Sequence, residues 1–203
     1  IGRWLGRGAL AAIVALLLLT SPMACTTMVV PPAKVEQPVD VVLLDHGRHA
    51  SLALPNGAGG MSRYAYGDWA WYARNDTGAW SAVRAVLLPS QAGLGREKLP
   101  AGVTPDRLAY HLVVGIEHQW TLTVERAQAD ALRVELDQAF EDHAATAVEN
   151  PRFGLRFVHH PDAYSYFHNS NHMVAGWLRR LGCEARGPAF ASAWRVESSA
   201  TDD

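Results

Sequence analysis

The segment from Asn169 to Gly182 constrains the fold most, because its pattern predicts one amphipathic helix with a capped start. Its apolar residues lie on one helical stripe: Met173, Val174, Trp177, Leu178 and Leu181. Gly182 follows them, where a left-handed residue commonly ends a helix. Asn169 or Ser170 can cap the start, because either side-chain oxygen can accept a hydrogen bond from a first-turn N–H. The Ser170 hydroxyl leans towards the buried side, so it is either only a cap or a nucleophile favoured by the helix dipole.

Short β-type segments and two further helical segments predict an α+β domain around this helix. Strands are predicted at 39–44, 50–54, 64–72 and 153–158, in a hairpin of 110–116 with 119–125, and in a last short strand within 186–194. Helices are predicted at 80–88 and 126–143, and the glycines and prolines of 89–105 predict a loop. This order indicates a single α+β domain over residues 39–197 with a mainly antiparallel sheet, followed by a polar tail at 198–203.

Residues 1–25 have the pattern of an export signal. Two arginines precede an apolar run over residues 8–19, and the segment ending at Cys25 resembles a bacterial lipobox, with Pro22 in place of the usual leucine. The pattern predicts a protein exported to the bacterial envelope or periplasm and attached to the membrane through lipid on Cys25. Simple secretion and an uncleaved N-terminal anchor are the alternatives.

Composition limits the partners and the covalent framework. Residues 26–38 contain three prolines and little periodicity, which predicts a tether between the signal and the domain. Once Cys25 is assigned to lipidation, Cys183 is the one cysteine left in the domain, so no disulfide framework is expected. The formal net charge of −2 offers no broad basic surface, so a nucleic acid partner is not expected.

The histidines and polar residues near the predicted helix favour a nucleophile site. Ser170 would attack an amide or ester, His49 would take its proton, and Asp68 would hold the imidazole. Serine chemistry needs all three roles, because a hydroxyl is a poor nucleophile until an oriented base accepts its proton. Backbone N–H groups at the helix start could stabilise an oxyanion. No G-x-S-x-G elbow is present, so an α/β-hydrolase is not supported.

Three short motifs carry a family resemblance. Residues 46–55 resemble the "HGxHxxxxLP" opening of an uncharacterised family of exported bacterial proteins, and residues 66–68 resemble its Gly-Asp motif. Residues 169–182 resemble its "N-x-C-N-x-x-x-A-x-x-L-x-x-x-G" block. The family is similar to the circularly permuted branch of papain-like, NlpC-type proteins. The resemblance implies that fold and a hydrolase or acyltransferase acting on an envelope peptide, glycan or lipid, with His46, Asn169, Asn171 and His172 around the catalytic residues.

The chain departs from the family pattern at the nucleophile, because Ser170 stands where the family has cysteine. A hydroxyl is a much weaker nucleophile than a thiol in a Cys–His geometry. The site is therefore either a serine variant or a retained pocket of an inactive envelope lipoprotein that binds peptide or glycan.

A metal site is the third interpretation. His168 and His172 are four residues apart, the spacing that places two imidazoles on one helix face, and His49 could add a ligand to Zn²⁺. The residue after His168 is Asn169, whereas the H-E-x-x-H motif needs a glutamate there. The leading expectation is therefore a site without a cofactor.

Overall fold

The structure is a computed structural model that describes residues 26–76 and 88–197. In this part of the chain the strands are β1 (Thr27–Val30), β2 (Pro38–Asp45), β3 (Ala50–Pro55), β4 (Met61–Asp68), β5 (Ser90–Lys98), β6 (His118–Glu125), β7 (Val148–Asn150), β8 (Leu155–Tyr164), β9 (Glu184–Arg186) and β10 (Trp194–Val196). The α-helices are α1 (Arg126–Asp142) and α2 (Ser170–Arg180). Shorter helical turns occur at Trp69–Ala73, Pro105–His111 and Ala144–Thr146. The predicted α+β class is confirmed.

The main sheet has seven strands in the order β6-β2-β3-β4-β5-β8-β7, and every neighbouring pair is antiparallel. The prediction of a mainly antiparallel sheet is therefore confirmed. The predicted strands at 39–44 and 50–54 correspond to β2 and β3, which a tight turn joins into a hairpin. The aromatic run at 64–72 is divided, because β4 ends at Asp68 and one π-helical turn follows it.

The two α-helices cover one face of this sheet. Their buried residues, including Leu132, Phe140 and Leu178, form one core with Leu52 and Tyr64 from the strands. Because strand side chains alternate between faces, Ala53 and Ala65 point the other way. There they join two smaller apolar clusters, beneath the segment from 99 to 112 and beneath the turn at Trp69–Ala73.

A second sheet of three strands, in the order β10-β1-β9, contains residues that were predicted to form a tether. β1 is parallel to β10 and antiparallel to β9. Thr27 and Val29 are fully buried within it. The tether prediction for 26–38 is wrong at this strand, because β1 pairs with segments from the far end of the domain, which local composition cannot reveal.

Two other local predictions are wrong. The loop predicted at 89–105 contains β5, a central strand of the main sheet. The strand predicted at 110–116 is a 3-10 turn at Pro105–His111 followed by irregular chain, so the predicted hairpin with β6 does not form. The predictions for residues 1–25, including Cys25, for residues 80–87 of the helix at 80–88 and for the tail at 198–203 lie outside the described residues. None of the described helices has the length and hydropathy needed to cross a membrane.

Candidate functional site

The start of α2 is capped by Asn169. Its side-chain oxygen accepts hydrogen bonds from the backbone N–H of Asn171 at 2.9 Å and of His172 at 3.2 Å. Ser170 follows as the first helical residue and is 3% exposed. It lines a small pocket of about 160 Å³ together with Arg48, Tyr164, Tyr166, Asn171 and Phe190. The hydroxyl of Ser170 is therefore free of the capping role, and no hydrogen bond joins it to a histidine in the described part of the chain.

His49 lies directly before β3 and faces the side of the sheet away from the α-helices. Its neighbour Ala50 joins the core beneath the helices, and successive strand side chains point to opposite faces. The His49 ring centroid is 4.7 Å from that of Tyr72 and 6.1 Å from that of His46. The Nδ1 atom of His49 is buried and has no hydrogen-bond partner in the structure. Burial, together with the nearby His46 and Arg63, lowers the pKa of His49 to about 3, so its imidazole is neutral near pH 7.

His46 faces His49 across the tip of the β2–β3 hairpin, and both of its ring nitrogens are engaged. Nδ1 lies 2.8 Å from the carbonyl oxygen of Gly115, which can only accept, so Nδ1 carries the proton and donates. Nε2 then accepts from the hydroxyl of Ser51 at 2.9 Å. Burial lowers the pKa of His46 as well. Because Ser51 is fully buried in β3, this serine–histidine pair orients the ring and fastens the hairpin to the loop at Gly115.

Asp68 is the last residue of β4, and its carboxylate forms hydrogen bonds with the segments beside it. One carboxylate oxygen accepts a hydrogen bond from the backbone N–H of Trp71 at 2.8 Å, and the other accepts from the hydroxyl of Ser90. These bonds cap the helical turn after β4 and tie it to β5. The structure therefore does not bring Ser170, His49 and Asp68 into one pocket, and their catalytic assignment stays a prediction.

His168 and His172 have separate surroundings. Nδ1 of His168 is 3.2 Å from the Tyr66 hydroxyl and 3.1 Å from a backbone carbonyl, whereas Nδ1 of His172 is 3.2 Å from the side-chain oxygen of Asn169. Burial lowers the pKa of His172. Within residues 26–76 and 88–197, no three His, Cys, Asp or Glu side chains are arranged to hold a metal ion. The structure does not gather His168, His172 and His49 around a common point.

A cavity of about 710 Å³ is lined by His46 and His49; we call it the His49 pocket. Its walls combine the two histidines with aromatic and cationic side chains: Trp71, Tyr72, Phe153, Arg48, Arg63 and Arg152. Arg63 is 1% exposed, and its Nε donates to the Glu97 carboxylate at 3.0 Å. Arg48 and Arg152 are exposed, and neither forms an ion pair with a described carboxylate. The pocket therefore has two imidazoles, apolar and aromatic side chains, two available cations and one carboxylate, that of Glu117.

Sequence reasoning missed several of these residues. Arg63 gave a usable signal, because it is the one basic residue inside the otherwise uncharged start of β4. No sequence pattern marks Tyr72 or Gly115 as a pocket residue, since each reaches the pocket from a segment distant in sequence from His49. His46 was predicted to lie beside the catalytic residues, and it does lie beside His49.

Comparison with known proteins adds no relative: no family model, curated protein or solved structure matches this chain. The resemblance to the exported family therefore rests on the motifs at 46–55, 66–68 and 169–182 alone.

Proposed function

We propose that this chain is an exported envelope protein with a permuted papain-like arrangement, whose His49 pocket binds a carboxylate-bearing peptide without cleaving it. The observation that carries the proposal is the direction of His49. Its ring lines a pocket with two available arginines, and His49 is not among the residues that line the pocket of Ser170. Of the alternatives that the sequence left open, binding has the most support.

The chemistry of His49 argues against proton abstraction. A general base works best when its pKa is near the working pH, and the pKa of His49 is lowered to about 3. No described hydrogen bond connects His49 to a hydroxyl or a carboxylate. A neutral imidazole in this position is better suited to hydrogen-bond a ligand than to activate a nucleophile.

The pocket walls indicate the class of ligand. Arg48 and Arg152 can bind a carboxylate, and arginine does so with paired N–H donors. Trp71, Tyr72 and Phe153 offer apolar contact for the rest of the ligand. A volume of about 710 Å³ is within the range of small-ligand sites, which supports a short peptide segment as the occupant.

The envelope location and the finer fold are part of the same proposal. A helix that is capped by Asn169 and packs on an antiparallel sheet, with the histidine strand earlier in the chain, supports the permuted papain-like arrangement. The export signal at 1–25 supports the location, and lipid on Cys25 would attach the protein to the membrane.

Calorimetric titration with a tripeptide that has a free carboxyl terminus, and with its carboxamide, tests the proposal. We expect the acid to bind at least tenfold more tightly than the amide, and Arg48→Ala or Arg152→Ala to weaken acid binding by about tenfold, or 1.4 kcal/mol. Arg195→Ala is the matched control, because Arg195 is an exposed arginine on β10, outside the pocket. Equal affinity for acid and amide, or no binding of either, would overturn the proposal.

Ser170 supports hydrolysis or acyl transfer as a second candidate function. Its hydroxyl is at the first position of an 11-residue helix, where the helix dipole favours a developing anion, and Arg48 borders its pocket. If an ester or amide is hydrolysed, Ser170→Ala should abolish turnover while the melting temperature stays nearly unchanged. Ser170→Cys should create a thiol that reacts rapidly near neutral pH, and a thiol of ordinary reactivity would count against a former cysteine site.

A further inference from the structure

Three aromatic rings form an exposed cluster beside the start of α2. Phe190 stacks on Tyr166 with ring centroids 5.5 Å apart, and Phe167 contacts both rings, at 5.3 Å from Tyr166 and 5.8 Å from Phe190. Phe167 is 71% exposed and Tyr166 is 46% exposed. We call these three residues the aromatic patch. Their grouping is notable because soluble surfaces usually scatter exposed aromatic residues singly.

The chain enters the domain next to this patch. The backbone N–H of Thr27 donates to the carbonyl oxygen of Ala193 at 2.8 Å, and the N–H of Ala189 donates to the Thr27 hydroxyl at 3.1 Å. Gly187 lies so close to the Thr26 carbonyl that a side chain at 187 would collide with it. The segment 187–193 therefore holds the first residues of β1, and Phe190 is the residue directly after Ala189.

The entry point leaves little free chain between a membrane attachment and the patch. β1 begins at Thr27, two residues after Cys25. Two extended residues span about 7 Å, so lipid on Cys25 would keep the beginning of β1 close to the bilayer surface. The patch shares its supporting segment with that end of β1 and must stay near the same surface.

We propose that the aromatic patch inserts into the interfacial region of the membrane as a second contact beside the N-terminal attachment. Aromatic rings favour the boundary between headgroups and acyl chains, and lipid on Cys25 would hold the patch beside that boundary. The contact would fix the orientation of the domain on the bilayer. This inference rests on the proposed envelope attachment, which supplies the surface.

Radical footprinting of the full chain in vesicles tests this orientation. The protein is reconstituted into phosphatidylethanolamine–phosphatidylglycerol vesicles, isolated by flotation and oxidised with hydroxyl radicals, and rates are normalised to the urea-unfolded chain. Tyr110 is the internal reference, because it is 87% exposed and lies on the turn at Pro105–His111, which packs on the face of the main sheet away from the α-helices. We expect the peptide with Tyr166 and Phe167 to react at least threefold more slowly than the Tyr110 peptide.

Two variants sharpen the comparison. Phe167→Glu should return Tyr166 to the rate expected from its exposure, because a carboxylate does not enter the interface, while the protein still floats with the vesicles. Tyr110→Glu is the matched control and should leave the protection of Tyr166 unchanged.

The outcomes separate the patch from the attachment. A full chain that does not float refutes the envelope attachment and the inference with it. A chain that floats with Tyr166 as reactive as Tyr110 refutes the patch contact alone. Protection that disappears when the protein is diluted in excess lipid would mean that a second copy of the chain covers the patch, which also refutes membrane insertion.

Discussion

Mild acid should destabilise this protein through His49. In the folded protein the pKa of His49 is lowered from 6.5 to about 3, because the ring is buried near His46 and Arg63. Between these values the unfolded chain binds a proton that the folded chain does not. The contribution to stability is therefore fully present above about pH 6.5 and is lost as the pH falls towards 3. Each pKa unit corresponds to about 1.36 kcal/mol, so about 2.5 kcal/mol is lost between pH 7 and pH 4.5.

Urea unfolding at pH 7 and at pH 4.5 measures this loss in the wild type, in His49→Gln and in His111→Gln. Glutamine cannot take up the proton, so His49→Gln should lose about 2.5 kcal/mol less than the wild type over the same interval, whatever its stability at pH 7. His111 is exposed, and its variant should follow the wild type. The reasoning would be refuted if the acid-dependent loss of stability in His49→Gln were within about 0.5 kcal/mol of the loss in the wild type. If the glutamine variant does not fold, His49→Phe gives the same comparison.

Four further substitutions test the architecture, each by urea denaturation. Asn169→Ala should lower the free energy of unfolding by about 1–2 kcal/mol, since it removes the cap of α2. Ser170→Ala should lower the free energy of unfolding by less than a typical hydrogen bond contributes, which is about 0.5–1.5 kcal/mol. Glu97→Ala should cost about 3 kcal/mol or more, because it leaves the guanidinium of the buried Arg63 without its carboxylate. Gly47→Ala should cost about 1–2 kcal/mol, because Gly47 has a φ of +87°.

Controls distinguish these effects from general sensitivity. Glu149→Ala breaks an exposed pair with Arg156 and should change stability by less than about 1 kcal/mol. The Glu117 carboxylate occupies the space that a side chain at Gly47 would fill, so Glu117→Ala should recover part of the loss in Gly47→Ala. A cost for Ser170→Ala equal to that of Asn169→Ala would contradict the assignment of the cap.

The fold was predictable where burial produces a regular apolar pattern. α1 and α2 have apolar residues at helical spacing because each packs one face on the core, and β2 and β3 are continuous apolar runs because both of their faces are buried. The sequence did not predict β5, because glycines such as Gly93 and Gly95 are typical of loops. In the sheet they make room for aromatic rings: a Cβ on Gly95 would lie 2.6 Å from the Phe157 ring, and one on Gly93 would lie 3.1 Å from Trp69.

Alternation misled the prediction at 110–116, because Leu112 and Ile116 pack on the sheet from a segment that is a 3-10 turn and irregular chain, without strand pairing. In the candidate site, His46 and His49 lie close together because both are in the turn that joins β2 and β3. The sequence could not show which face His49 occupies, because the phase of a strand is decided by the helices that pack on it. Nor could it show Ser170 and His49 in different pockets, since that depends on contacts between distant segments.

The three-stranded sheet also sets the order in which the domain can be completed during synthesis. β1 is made first, and its partners β9 and β10 are made last. A chain that emerges from its N-terminus therefore has β1 unpaired until residues 184–196 appear. We expect the main sheet to be able to form before the small one, so β1 stays unpaired until the C-terminal strands are made. A chain truncated before Trp194 would lack β10, and β1 would then pair with β9 alone.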